Sequence, residues 1–221
     1  MEEHLPSFQY PNLIDSIGYS TSSHASDIIT ENQITHGYQS DPELPLPPDI
    51  SDATMTMYLG MKARLPVRSI QEELLIIFFQ ECNWFFGLLE PYCFRKLQRK
   101  IEAIEQDVSR NAQQMLTSWS FTALLFQTLA VALQFLPAGA TCIEALAIQN
   151  RATRDALSER YSNISSHIIS IVSQTKTDIT CVECLLLRAF WLKNSGRGKE
   201  SWRALGNCVR YRVQVLRVQS V

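Results

Sequence analysis

Charge is missing from the middle of this chain, histidine is scarce, and the short motifs that carry catalysis are absent. Between residues 111 and 143 no side chain is charged, so that stretch belongs in an interior. Of the four histidines, His4, His24 and His36 stand near the start, and only His167 lies further on. Little remains for acid–base or metal chemistry. There is no glycine-rich phosphate loop, no Gly-x-Ser-x-Gly elbow and no His-Glu-x-x-His pair, which leaves nucleotide, hydrolase and zincin chemistry without a motif. No run alternates apolar and polar residues between turn signals, so a sheet is not expected. The chain reads as something other than an enzyme.

What is present is enough for one core. In 221 residues, 46% are hydrophobic, which allows one domain of ordinary size and a tail. Twenty basic residues face 22 acidic ones, for a net charge of -2, so overall charge attracts neither nucleic acid nor a membrane. The six cysteines follow an acidic start, Met1-Glu2-Glu3-His4, with no apolar run behind it. That is neither a secretory signal nor a disulfide scaffold, and a reducing compartment is expected. Asn163-Ile164-Ser165 fits the glycosylation triplet but has no secretory route to use it.

Residues 1–65 hold Pro6, Pro11, Pro42, Pro45, Pro47 and Pro48 among many hydroxyl and amide side chains. They are expected to be a disordered linker or tail, with the helical domain at 66–221. The run 41–49 favours extended polyproline geometry; it reads as a stiff spacer before it reads as a ligand for an aromatic groove. Ser69 and Glu72 have capping-box spacing ahead of an apolar run at 74–79. Pro91 suits the first position of the next helix. There Phe94, Leu97, Ile101, Ile104 and Val108 make a seam too short for a coiled-coil dimer, so packing on the chain's own core is expected.

The apolar run 119–136 is long enough to raise the question of a membrane span. Gln127, Gln134, several hydroxyls and the lack of a basic flank beyond Arg110 favour a central buried helix instead, ended by Pro137 and Gly139. Residues 143–173 give one or two helices with mixed faces. Thr180 and Glu183 have the spacing of a second capping box. The expected fold class is all-α: an irregular bundle of about six to eight helices with a disordered N-terminal tail.

One stretch organises the rest. From 184 to 192 almost every side chain is apolar, so that helix needs enclosure on all sides. Gly196 supplies the left-handed residue that closes a helix. A second helix then spaces Trp202, Leu205, Val209 and Val213 by three, four and four, which predicts an inward stripe. Gly206 beside it invites close backbone approach. On this reading Trp202 is a core anchor whose loss costs about 3–5 kcal/mol, and the short connection makes the two helices antiparallel.

Asn194-Ser195-Gly196-Arg197, Trp202, Leu205-Gly206 and Val209-Arg210 together resemble the signature of the fungal-specific transcription factor domain, the regulatory middle homology region of the fungal binuclear zinc-cluster factors. Cys208 stands where that pattern has alanine. Cys82-Asn83-Trp84 and Pro91-Tyr92-Cys93-Phe94 are similar to its earlier part. The likeness ends after Arg210, where Arg212 takes an alanine position, and the polypeptide looks like a truncated first part of such a domain. The resemblance implies an all-α regulatory domain in the nucleus that works through partner contacts or a small effector. It places zinc and sequence-specific DNA reading in a six-cysteine module that this sequence lacks.

Two other features were candidates for chemistry. Cys181-Val182-Glu183-Cys184 has a spacing that zinc or a redox pair can use, but zinc needs two further ligands, and the remaining cysteines are isolated; a core role is expected. Arg188, Lys193, Arg197, Lys199, Arg203, Arg210, Arg212 and Arg217 face Glu200 as the one carboxylate between 188 and 217. Phosphate contact is possible in principle, but a solvated helix surface accounts for the skew, with Arg210 reserved for a structural ion pair or cap. The expected function is transcription regulation through protein partners of the transcription machinery or a full-length paralogue. DNA is reached indirectly, and no catalytic residue, cofactor, metal or membrane is involved. A helical interaction scaffold is the alternative, and a ligand-binding or enzymatic helical domain is a further one.

Overall fold

The computed structural model describes residues 50–107, 111–174 and 178–219, apart from the side chains of 85, 86 and 212–219. In order these form α1 (Asp52–Lys62), α2 (Arg68–Ile77), a π-helical turn (Phe78–Cys82), α3 (Asn83–Phe86), α4 (Pro91–Gln106), α5 (Ala112–Gln134), α6 (Cys142–Ala145), α7 (Arg151–Val172), α8 (Ile179–Asn194) and α9 (Gly198–Gln219). The described residues contain no strand, and the all-α fold class holds. The expected tail at 1–49 lies outside the described residues.

The uncharged middle is α5, and 94% of its apolar window is buried inside the protein. It is long and apolar enough to cross a membrane, yet most of it is packed against α2, the π-helical turn, α4, α7 and α8. Asn111 starts it with a capping box to Gln114, which satisfies two otherwise free N–H groups at its first turn.

The mixed faces read at 143–173 resolve into a short α6 and one long α7 capped by Asn150. The inward face of α7 is a serine stripe. Ser158 Oγ donates to Ala130 O at 2.6 Å and Ser165 Oγ donates to Ala123 O at 2.8 Å, while Ser162 Oγ donates to Gln127 Oε1 at 3.1 Å. Small hydroxyl side chains let two backbones approach and satisfy themselves on the opposite carbonyls, so a buried face looks polar in the sequence.

Three local expectations need correction. Residues 52–62, expected in the tail, form α1, opened by the Ser51 side chain accepting from Thr54 N. Its Tyr58 ring stacks on Trp119 at 4.4 Å, and its hydroxyl meets Thr122 Oγ1 at 2.9 Å. One aromatic anchor and one buried methionine, Tyr58 and Met61, in a short stretch escape a periodicity count. Ser69 and Glu72 do not make a capping box, because α2 starts earlier with Val67 at its N-cap; Glu72 pairs instead with Arg68 and Arg95. Likewise α8 is capped by Asp178, which accepts from Cys181 N at 3.0 Å, leaving Thr180 buried in the first turn.

Pro91 does open its helix, behind a Glu90 N-cap. In the seam that follows, Phe94 and Ile101 are buried, while Val108 lies outside the described residues. Asn83, in the segment compared with the family, pins the turn before it: its amide donates to Leu89 O at 2.7 Å and its oxygen accepts from Leu89 N at 3.1 Å.

Candidate functional site, the joint between α8 and α9

Helix α8 ends in a Schellman turn. Arg197 N donates to Leu192 O at 2.9 Å and Gly196 N to Lys193 O at 3.1 Å, with Gly196 at φ 76°. A side chain at that φ is strained, so glycine is required here for backbone reasons.

Asn194 and Ser195 fasten this turn to the end of α5 through Gln134. The Gln134 amide donates to Trp191 O at 3.1 Å and to Ser195 Oγ at 2.9 Å, and its oxygen accepts from Asn194 Nδ2 at 3.3 Å. Gln134 is one of the two amides that interrupt the apolar run of α5. Its structural task is to fasten the end of α8 to α5: Trp191 O already accepts from Ser195 N at 3.0 Å and from Ser195 Oγ at 2.9 Å, and the Gln134 amide adds a donor from another helix.

Arg197 closes the other side. Its Nε and Nη2 form a fork on Glu200 at 2.7 and 2.5 Å, and its Nη1 reaches Glu159 Oε1 on α7 at 3.1 Å. The guanidinium also lies 5.9 Å from the centroid of the Trp191 ring, within cation–π range. Hydrogen bonding to Glu200 raises the Arg197 pKa, and the same bond lowers that of Glu200. The four motif residues therefore tie α5, α7, α8 and α9 together at one corner. Glu159 gave no sequence signal of this role, because its partner is 38 positions away.

The rest of the motif is placed differently from the expectation. Trp202 is 76% exposed and Val209 is 63% exposed, so the stripe they form does not face inward. The buried face is Ser201, Ala204 and Cys208, with Leu205 half-buried. Ser201 Oγ donates to Ala189 O at 2.7 Å, and Cys208 Sγ lies 3.7 Å from Val182 O. Small residues win this face because they let α9 lie close against α8. The spacing 201, 204, 208 was the available signal, masked by the larger apolar residues about a quarter-turn away. Gly206 is exposed too, and a Cβ added there would meet nothing within 4 Å; it makes no close approach. Among the described residues Arg210 is exposed and forms no ion pair, contrary to the structural role held for it. Val213, Arg212 and Arg217 have side chains outside the described set.

Beside the joint lies a cleft of about 640 Å³, with Gln134, Arg154, Trp191, Asn194 and Arg197 among its walls. Its polar groups already satisfy one another. Arg154 sits on Asp155 at 3.2 Å, Arg197 on Glu159, and the Trp191 indole N–H on Ser158 Oγ at 2.8 Å. It brings together no nucleophile with a base.

The other candidates are absorbed by the core. Cys181 and Cys184 are both buried and free. Cys181 Sγ is 3.7 Å from Ser120 Oγ, Cys184 Sγ is 3.1 Å from Ser165 Oγ, and burial pushes both thiols up to about 12. Such thiols are inert as nucleophiles and poor metal ligands. Among the described residues no group of three or more His, Cys, Asp or Glu side chains is placed to hold a metal. Arg188, counted in the basic skew, points inward and donates to Ser162 O at 2.6 Å and to its Oγ at 2.9 Å; burial lowers its pKa. Among the described residues the exposed cations of this skew are Lys193, Lys199, Arg203 and Arg210.

Comparison of the chain with protein-family models, with curated proteins and with solved structures finds no match in any of the three.

Proposed function

We propose that this chain is a partner-binding regulatory domain of the fungal zinc-cluster transcription factor kind, working in the nucleus. It binds and does not catalyse. Sequence-specific DNA reading and its zinc belong to a cluster module outside these residues, so the domain reaches DNA through its partners, which are proteins of the transcription machinery or a full-length paralogue. A small effector is a further input. The observation that supports this reading is the behaviour of Asn194-Ser195-Gly196-Arg197 as one unit. These residues, which carry the resemblance, make a four-helix corner in an all-α domain, and the adjoining helix leaves Trp202 and Val209 in solvent.

The test is to tether the chain to an unrelated DNA-binding module upstream of a reporter in a fungal cell. The expected result is a changed reporter output, nuclear accumulation, and loss of the effect in an Arg197→Ala, Gly196→Val double variant. A folded, tethered chain that leaves the reporter at the level of the bare module overturns the proposal. Tight sequence-specific DNA binding by the purified chain in moderate salt overturns the indirect route.

A further inference from the structure

We infer that the outer face of α9 docks an acidic, apolar helical segment of a protein partner. This rests on the reading of the chain as a partner-binding domain and names the chemistry of the partner. The face begins one turn beyond the joint. Trp202 and Val209, seven residues apart and therefore on one side of the helix, are 76% and 63% exposed. An indole and a valine two turns apart on one exposed face form the kind of surface that association removes from water.

Gly206 gives that surface its shape. Residues 202, 205, 206 and 209 are related as i, i+3, i+4 and i+7, the four positions that frame a hole for a knob from a neighbouring helix. Nothing lies within 4 Å of a Cβ built on Gly206, so the floor of this hole is backbone, open to solvent. A leucine-sized knob fits a hole with one glycine corner, a large indole wall and a half-buried Leu205 at its inner rim.

Charge selects the partner. Lys199, Arg203 and Arg210 are exposed on the flank of Gly206 away from Val209, and Arg203 and Arg210 repeat the heptad spacing of Trp202 and Val209. Glu200 is the one carboxylate in the sequence of α9, and Arg197 holds it in a fork. The flank therefore carries three cations, and the one carboxylate of the helix, Glu200, is bound by Arg197 while also feeling Arg203. A second copy of the same face brings like charges together, whereas a segment with leucine or phenylalanine knobs bordered by Asp and Glu meets both the hole and the cations.

The experiment uses the full chain and two synthetic helical peptides. One carries leucine at the a and d positions of its heptads with glutamate on the flanks, and the other has lysine in place of each glutamate. The glutamate peptide is expected to bind, more weakly as salt rises, and the lysine peptide to fail. Trp202→Ala and the pair Arg203→Glu with Arg210→Glu should each weaken binding by about tenfold or more. Both changes lie on an exposed surface, so circular dichroism and the melting temperature should stay at their unsubstituted values and show that lost binding is not lost fold.

Failure of the glutamate peptide to bind, equal binding of the two peptides, or variants that bind like the parent overturn the inference. A dimer in sedimentation that Trp202→Ala abolishes overturns it too, by giving the face to a second copy. A tethered chain that still drives its reporter while the peptide fails removes this surface alone. A peptide that binds as described while the tethered chain is inert removes the regulatory reading and leaves the surface.

Discussion

The indole Nε1–H of Trp191 donates to Ser158 Oγ at 2.8 Å, and that hydroxyl in turn donates to Ala130 O at 2.6 Å. A single relay thus links α8 through α7 to the backbone of α5. All three groups are shielded from water, so each must find its partner inside the protein.

Replacing Trp191 by Phe keeps most of the ring volume but removes the donor. It should cost about 1–3 kcal/mol, because Ser158 Oγ loses its proton donor in a dry site. Urea unfolding followed by circular dichroism checks this. A midpoint equal to the parent's shows that the relay contributes nothing.

Trp202 predicts the opposite. With its ring in solvent, Trp202→Ala should change stability by no more than about 0.5 kcal/mol, in place of the about 3–5 kcal/mol of a core tryptophan. Measuring the two tryptophan variants side by side gives the sharpest comparison, since residue type is the same and only the face differs.

Gly196→Ala forces a Cβ into a left-handed conformation at φ 76°. The expected loss is about 1–2 kcal/mol. Gly206→Ala, at an open helical position, should instead be neutral or stabilising by up to about 1 kcal/mol. Thermal melts of the two variants report the contrast, and equal shifts would remove the Schellman turn from the account.

Burial, with Asp178 nearby, pushes the Glu183 carboxyl up to about 7 from its ordinary 4.5. Between those values the folded chain holds a proton that the unfolded chain has released. Stability therefore falls as pH rises through this window and levels off above it. Glu183→Gln should lose that decline and be the more stable form at about pH 8, with little difference near pH 4. The check is the urea midpoint measured across the window, and parallel curves for parent and variant would exclude Glu183 as the titrating group.

The sequence legibly carried the helices whose cause is local. The absence of charge from 111 to 143 was sufficient for a central buried helix, Pro91 for the start of α4, and Gly196 for the end of α8, because interior burial and backbone φ restrict residue choice directly. It also carried the motif at 194–197 as a joint. It did not show Gln134 and Glu159 as the partners of that joint, since neither has a local pattern that points across 38 or more positions.

Which face of α9 turns inward was decided only by the tertiary structure. Hydrophobicity alone puts Trp202 and Val209 inside, but α8 lies close enough that only Ser201, Ala204 and Cys208 fit between the backbones. Steric room at a helix contact outranks the transfer energy of one indole when the two compete. The same reasoning applies to the serine stripe of α7, whose hydroxyls are buried because carbonyls of α5 lie opposite them. The amino-acid sequence by itself determined the fold class and the identity of the joint. The tertiary structure determined which residues are core and left the most conspicuous tryptophan of the motif facing outward.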